Sequence, residues 1–303
     1  MPVQYQGLGL SASHLHTRQH CSIFDVSHML QTRVWGKHRN QFIESLTVVD
    51  MKRMKPNTGA LTVFTTAQGG IIDDLIVTDA ADHLYVVSNA GCRDKDVPLM
   101  SARQSEMVAE GLDVGLEFLD RGLVAVQGPG TVSCLQPLTD LDLSQVRFMS
   151  SAACLVAGIP CRVTRCGYTG EDGVEISVPQ QEAVTLVEAL LQSQGQPELA
   201  GLGARDSLRL EAGLCLYGSD MDQTTSPVEA GLAWLISKGR RERGGFPGAE
   251  TILNQLREGV KRRRVGLVSR GAPARANADI LDLRGNKVGR VTSGEDRGWG
   301  LRS

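Results

Sequence analysis

Two adjacent carboxylates, Asp73 and Asp74, interrupt an otherwise apolar run, Ile71-Ile72-Asp73-Asp74-Leu75-Ile76-Val77. Side chains alternate faces along a strand, so one aspartate accompanies Ile72 and Ile76 and the other accompanies Leu75 and Val77. Both faces are apolar, and a carboxylate that points inward is desolvated unless a partner compensates it. Such a group can act as a general base or stabilise a developing cation. The same pair could instead blunt an edge strand or bind backbone at the adjoining turn. Parity alone does not choose between the two aspartates.

A third carboxylate, Glu175, lies in Val174-Glu175-Ile176-Ser177-Val178. Alternation sets it with Ser177, opposite the three apolar residues. That face is either solvated or turned to a ligand cleft. In a cleft, two acceptor oxygens can hold a ring that presents two adjacent N–H donors, as a pterin or a guanine does. Farther on, Arg205 and Arg209 are four apart in a segment that opens a helix, so they share a face. Two guanidiniums there could hold an anionic ligand or could be solvated. The glycines of Gly167-Tyr168-Thr169-Gly170-Glu171-Asp172-Gly173 do not follow the GxGxxG spacing, and no helix follows them. They read as a glycine-dependent hairpin loop rather than a phosphate cradle.

Other residue types point away from chemistry. His14, His16, His20 and His28 fit no zinc template, and Asp25 is the only acid close to them, so no metal site is expected. The basic runs at 240–243 and 261–264 lack interleaved aromatics, which argues for solvated faces and against a nucleic-acid site. The 7 cysteines are odd in number and none is spaced as CxxC, so neither a disulfide framework nor a zinc knuckle is indicated. The chain has 303 residues, enough to bury a sizeable core. A content of 41% hydrophobic and 22% charged residues excludes disorder. A net charge of -2 argues against nucleic acid as a partner of the whole chain. No apolar run approaches the roughly 18 residues that span a bilayer, and the opening residues 1–5 carry no targeting signal.

The elements that must position these residues can be traced along the chain. A strand is expected over 30–35, then a helix carrying Phe42, Ile43 and Leu46. A hairpin pairs 60–65 with 71–78 across the turn Gln68-Gly69-Gly70, and a strand follows at 84–87. A helix over 94–110 precedes strands at 114–119 and 123–126, and Pro129 suits a helix start. Strands at 161–166 and 174–178 flank the glycine loop, and helices follow at 181–193 and 202–214. The stretch 237–248 reads as a linker or exposed loop, and short strands at 265–268, 280–283 and 288–291 begin a small β-domain. Strands and helices mix without regular alternation, which predicts an α+β protein.

Several longer words sharpen this reading. Phe24-Asp25-Val26-Ser27-His28-Met29, Gly69-Gly70-Ile71-Ile72-Asp73-Asp74-Leu75-Ile76-Val77, Gln127-Gly128-Pro129, the glycine loop running into Glu175-Ile176, and Gly203-Ala204-Arg205-Asp206-Ser207-Leu208-Arg209 occur in that order. Pro227-Val228-Glu229-Ala230-Gly231-Leu232, Phe246-Pro247-Gly248 and Val291-Thr292-Ser293-Gly294 follow. Together they resemble the aminomethyltransferase family, the T-protein of the glycine cleavage system. The words Ser88-Asn89-Ala90-Gly91-Cys92 and Cys161-Arg162-Val163-Thr164-Arg165-Cys166 resemble its vertebrate mitochondrial members.

That resemblance implies a multi-domain cloverleaf of two α+β domains and a C-terminal β-barrel. Residues 1–48 with 128–235 would form the first domain, 49–127 with 236–258 the second, and 259–303 the barrel. It implies a reaction in which the one-carbon unit moves from the S-aminomethyl lipoyl arm of the H-protein to tetrahydrofolate. The products would be 5,10-methylenetetrahydrofolate, ammonia and the dihydrolipoyl H-protein, in the mitochondrial matrix. By resemblance, Asp74 is the catalytic aspartate, Glu175 the pterin-binding glutamate and Arg205 a substrate-contacting arginine, with Tyr168 and Asn89 lining the cleft.

The family reaches Pro2-Val3-Gln4-Tyr5 only after an N-terminal segment, and Glu295 to Ser303 no longer match it. The resemblance thus implies truncation at both ends and an incomplete barrel. Alternatives within the fold are an inactive truncated isoform and a folate-binding iron–sulfur maturation factor. A sarcosine or dimethylglycine dehydrogenase would carry a GxGxxG flavin motif, and none is present.

Overall fold

The computed structural model describes residues 2–268 and 274–294. The segment from Glu295 onward, where the family resemblance stops, lies outside the described residues. The architecture is α+β, built on one six-stranded, one five-stranded and one two-stranded sheet.

The five-stranded sheet holds the aspartate pair. Its order is Thr58–Thr65, Ile71–Asp79, Leu84–Ser88, Leu30–Trp35, Gly115–Leu119, and every neighbouring pair is antiparallel. These segments form strands because Val, Ile, Phe, Tyr and Thr dominate them and fit a pleated, packed surface. The helices Arg39–Leu46 and Arg93–Ala109 cover one face, where Phe42, Ile43, Met100 and Met107 pack on Leu75, Val77 and Val86. Gly70 ends the turn before the aspartate strand, and a β-carbon there would collide with the Gln223 carbonyl. That close approach lets the Ile71 amide reach the carbonyls of Asp222 and Thr225, fixing the start of the strand.

The six-stranded sheet holds Glu175. Its order is Pro197–Leu199, Cys21–Asp25, Arg121–Gln127, Gly173–Pro179, Ile159–Thr164, Ser151–Val156. Its outer face is covered by the helices Thr131–Leu135 and Ala183–Leu191 over Val174, Ile176 and Val178. A separate apolar layer joins the two sheets: Tyr85 and Val87 from one meet Phe24, Leu123 and Ala125 from the other, with Leu208 alongside. The inner faces of both sheets therefore look at each other.

Two expectations are corrected. The stretch 237–248 is no open linker: Lys238–Arg243 is a helix whose cap Ser237 accepts a hydrogen bond from the Arg240 amide. Arg240 is buried and donates to the carbonyls of Glu44 and Thr47 at 2.6 and 2.9 Å, while Arg243 meets Asp50 at 3.0 Å. The second basic run keeps the solvated face expected of it: Lys261, Arg262 and Arg263 are exposed, while Arg262 meets Glu229 and Arg264 donates to the Ala230 carbonyl. Finally, 265–268 is not a strand; Val265, Leu267 and Val268 find no ladder partner and stay exposed. The strands Asp279–Leu281 and Lys287–Arg290 form a hairpin, and no closed barrel occurs among the described residues.

Candidate active site

Burial along Ile71–Asp79 alternates and resolves the parity left open above. Asp73 falls with Leu75 and Val77 on the helix-covered face and is fully buried. Asp74 falls with Ile76 on the inner face and is half-buried. Asn89, just beyond the neighbouring strand, joins the two. Its backbone N–H donates to Asp73 Oδ2 and its side-chain Nδ2 to Asp73 Oδ1, both at 2.9 Å. The same Nδ2 donates to Asp74 Oδ1 at 2.9 Å. Burial, then the neighbouring Asp73 charge, pushes the Asp74 carboxyl up to about 7, against the opposing Asn89 hydrogen bond. A carboxylate poised there exchanges protons readily near neutral pH.

Glu175 occupies the centre of its sheet, opposite Ala125 on one side and Thr164 on the other. Its face is not solvated. Ser177, two residues on, is buried and donates to Gln31 Oε1 at 2.6 Å, an acceptor shared with the Tyr85 hydroxyl at 2.7 Å. Ile76, Tyr85 and Val87 from one sheet and Arg162, Cys166 and Glu175 from the other line a narrow cavity. Burial raises the Glu175 carboxyl, and the Arg205 charge and the Cys166 thiol oppose that rise.

Arg205 and Arg209 share a helix but not a role. The Arg205 guanidinium stacks 4.7 Å above the Tyr168 ring, and its Nη1 is buried without a hydrogen-bond partner. Burial lowers the Arg205 proton affinity, and the Glu175 charge is the largest effect restoring it. Tyr168 donates its hydroxyl to the Cys215 carbonyl, and it lies in the field of Asp74 as well as of Arg205. Arg209 is instead fully buried and satisfied, with Nε on Asp206 Oδ1 at 2.8 Å and Nη1 on Asp220 Oδ2 at 2.7 Å.

The glycine loop joins the antiparallel strands Ile159–Thr164 and Gly173–Pro179, the hairpin its sequence suggested. Gln127 lies beneath it, donating to the Cys166 carbonyl at 3.0 Å and accepting from Thr169 at 2.7 Å. A β-carbon at Gly167 or Gly173 would collide with that amide. The glycines therefore let the loop close onto Gln127. Two of the N-terminal histidines hold structure: His14 Nδ1 meets Ser207 Oγ at 2.7 Å, and His16 Nε2 meets the Gln196 carbonyl at 2.8 Å. No group of three or more His, Cys, Asp or Glu among the described residues could hold a metal ion.

One residue of this region was not singled out from sequence. Asp96 is fully buried, and it shares the inward face of its helix with Met100 and Met107. An acid at helical spacing with buried methionines is the signal that marks it.

Residues 1–240 match the family model of the GCVT N-terminal domain. The chain is 56% identical to the mitochondrial aminomethyltransferase of Homo sapiens over 296 residues, covering 97% of this chain and 73% of that protein. The corresponding protein of Gallus gallus is 58% identical, over 97% of this chain and 75% of its own length. A crystal structure of the glycine cleavage system aminomethyltransferase T from Bartonella henselae superposes with a TM-score of 0.89 at 39% identity, covering 97% of this chain and 79% of that one. Fold and family match together define a protein of the GCVT class. The chain belongs to the aminomethyltransferase, or T-protein, family of the glycine cleavage system. Its function is aminomethyl transfer within that system.

Proposed function

We propose that the cleft between the two sheets binds tetrahydrofolate, and that Asp74 handles the proton and the positive charge of one-carbon transfer. In this reading Glu175 accepts from adjacent N–H groups of the pterin, and Arg205 offers its unpartnered Nη1 to an acceptor on the ligand. The aminomethyl carbon arrives on the lipoyl arm of the H-protein and becomes electrophilic as its C–S bond breaks. The sulfur leaves on the dihydrolipoyl arm. Asp74 in its ionised form stabilises the developing iminium charge and accepts the proton released when one folate nitrogen attacks, and the second folate nitrogen then displaces ammonia to close the methylene bridge. Tyr168 and Asn89 hold the geometry, one beneath Arg205 and the other against Asp74. The mitochondrial matrix is the proposed compartment, since the relatives from Homo sapiens and Gallus gallus are named as mitochondrial proteins. No helix among the described residues is long and apolar enough to cross a membrane.

The observation that carries this reading is the Arg205 guanidinium, stacked on Tyr168 with its buried Nη1 unpartnered and its charge felt by Glu175. Isothermal titration with tetrahydrofolate tests it. Binding should be retained in Asp74→Asn, while turnover with aminomethylated H-protein is lost. Folate binding that is unaffected by either Glu175→Gln or Arg205→Ala would remove the ligand from this cleft.

A further inference from the structure

Behind the Asp73–Asp74 pair lies a third carboxylate that the chemistry above does not use. Asp96 is fully buried in the helix Arg93–Ala109, and neither of its carboxyl oxygens has a hydrogen-bond partner. The groups that face it are Asp73 from the aspartate strand, Ser88 from the next strand and Lys95 from its own helix. Cys92 and Tyr217 also lie in the field of Asp73, and Asp74 is faced by Asp73, Tyr168 and Cys215. The Lys95 ammonium is committed elsewhere, to the Ile72 carbonyl at 2.7 Å and the Tyr217 hydroxyl at 2.8 Å.

Two ionised carboxylates cannot share one buried layer without a neutralising partner, so one of them holds a proton. Asp73 accepts two hydrogen bonds from Asn89, and Asp96 accepts none. Asp96, the carboxyl left without a donor, is therefore the one that holds the proton. We propose that Asp96 is a positioning residue: as a neutral acid it donates its carboxyl hydrogen to Asp73, and so fixes the anion that orients the Asn89 amide against Asp74. Burial and the Asp73 charge push the Asp96 carboxyl up to about 8, consistent with a proton held at neutral pH. The same Asp73 charge contributes to the rise at Asp74. Asp96 thus acts on the reacting carboxylate through two intermediaries, Asp73 and Asn89.

This inference rests on the reading of Asp74 as the proton-handling group, so its test has one arm that does not. Asp96→Asn replaces the carboxyl hydrogen with an amide donor and should leave kcat within about twofold of the parent, with its acid limb unmoved. Asp96→Leu removes the donor. Asp73 is then a buried anion short of one donor, and the Asn89 amide that it orients is no longer fixed against Asp74. The misplaced amide should lower kcat at least about tenfold. The independent arm is infrared spectroscopy in an Asp74→Asn background, where position 74 carries no carboxyl proton. The carbonyl stretch of a protonated carboxyl at neutral pH should be lost when Asp96→Asn is added. If that band is unchanged, or if Asp96→Asn lowers kcat as much as Asp96→Leu does, Asp96 is not the neutral partner. Should Asp96→Leu fail to fold, the Asn variant and the infrared band still decide. Full turnover by Asp74→Asn would overturn the reading of Asp74 while leaving the infrared result standing.

Discussion

Asn89 presents its side-chain amide to Asp74 Oδ1 at 2.9 Å while the same nitrogen holds Asp73 Oδ1 at 2.9 Å. Two neighbouring aspartates, turned to opposite faces of one strand, are tied by a single amide that follows the next strand. The consequence is a division of labour. Asp73 takes two donors and is sealed from solvent, whereas Asp74 takes one of them and is only half-buried.

Substitution should separate the two roles. Asp74→Asn keeps the size and the contact with Asn89 but removes the group that accepts a proton, and turnover should fall about 100-fold or more. Asp73→Asn removes a charge that touches no substrate, and its effect on turnover should be distinctly smaller. Steady-state kinetics on both variants make the comparison, and equal losses would contradict the assignment.

The pH dependence follows from the shift at Asp74. Its ionised form is the reactive one, so turnover should rise with pH through about 7. Asp73→Asn removes the repulsion and should move that limb to lower pH. Stability runs the opposite way. Folded Asp74 holds its proton more tightly than the unfolded chain does. The stability this contributes is fully present below about pH 4, near the unfolded value, and is lost as pH rises through the folded value of about 7. Asp74→Asn should therefore unfold at higher denaturant concentration than the parent at pH 8, and that excess should vanish at pH 4. A denaturant titration at each pH measures it.

Much of this arrangement could be read from the sequence, and what could not has definable causes. The strands Leu30–Trp35, Ile71–Asp79 and Leu84–Ser88 announced themselves as β-branched runs, because local propensity and burial agree there. The helix Leu10–Gln19 has no apolar stripe and was not anticipated. It is held by polar contacts to distant residues, such as His14 to Ser207 and Arg18 to Glu211. Sheet membership was equally out of reach. Leu30–Trp35 and Arg121–Gln127 join different sheets through pairings that no local pattern specifies. The two readings of Glu175 differed only in whether a second sheet would cover its face, and Tyr85 and Gln31 decide that from far along the chain.

Glu175 should reveal itself in affinity rather than rate. Glu175→Gln keeps the shape of the side chain and loses the charge-assisted acceptor. Removing such a bond to a buried donor costs about 1.5–3 kcal/mol. Tetrahydrofolate should therefore bind about 10- to 150-fold more weakly by calorimetry, with turnover at saturating folate much less affected. Unchanged affinity would mean that the glutamate serves the inter-sheet layer alone.

The buried pair Arg209–Asp220 provides the sharpest stability test. The Arg209 side chain is 2% exposed and that of Asp220 is 4% exposed, with 2.7 Å between Nη1 and Oδ2. Burial alone would raise the Asp220 carboxyl. Hydrogen bonds from Thr292, the Leu216 amide and Ser293, together with the Arg209 charge, hold it below the usual carboxylate range instead. Arg209 Nη2 also donates to Ser293 Oγ at 3.0 Å, and Thr292 Oγ1 donates to Asp220 Oδ1 at 2.6 Å. The pair thus fastens the residues that follow the C-terminal hairpin to the helix Leu202–Glu211. Removing one partner leaves a buried charge uncompensated, which costs about 3–5 kcal/mol, whereas removing both spares much of that penalty. Arg209→Met should therefore lose about 3–5 kcal/mol in urea titration, and the double variant Arg209→Met/Asp220→Leu should recover part of the loss. Limited proteolysis should also release the hairpin Asp279–Arg290 sooner in Arg209→Met than in the parent. Strictly additive losses in the double variant, or an unchanged cleavage pattern, would show that the hairpin is held by other contacts.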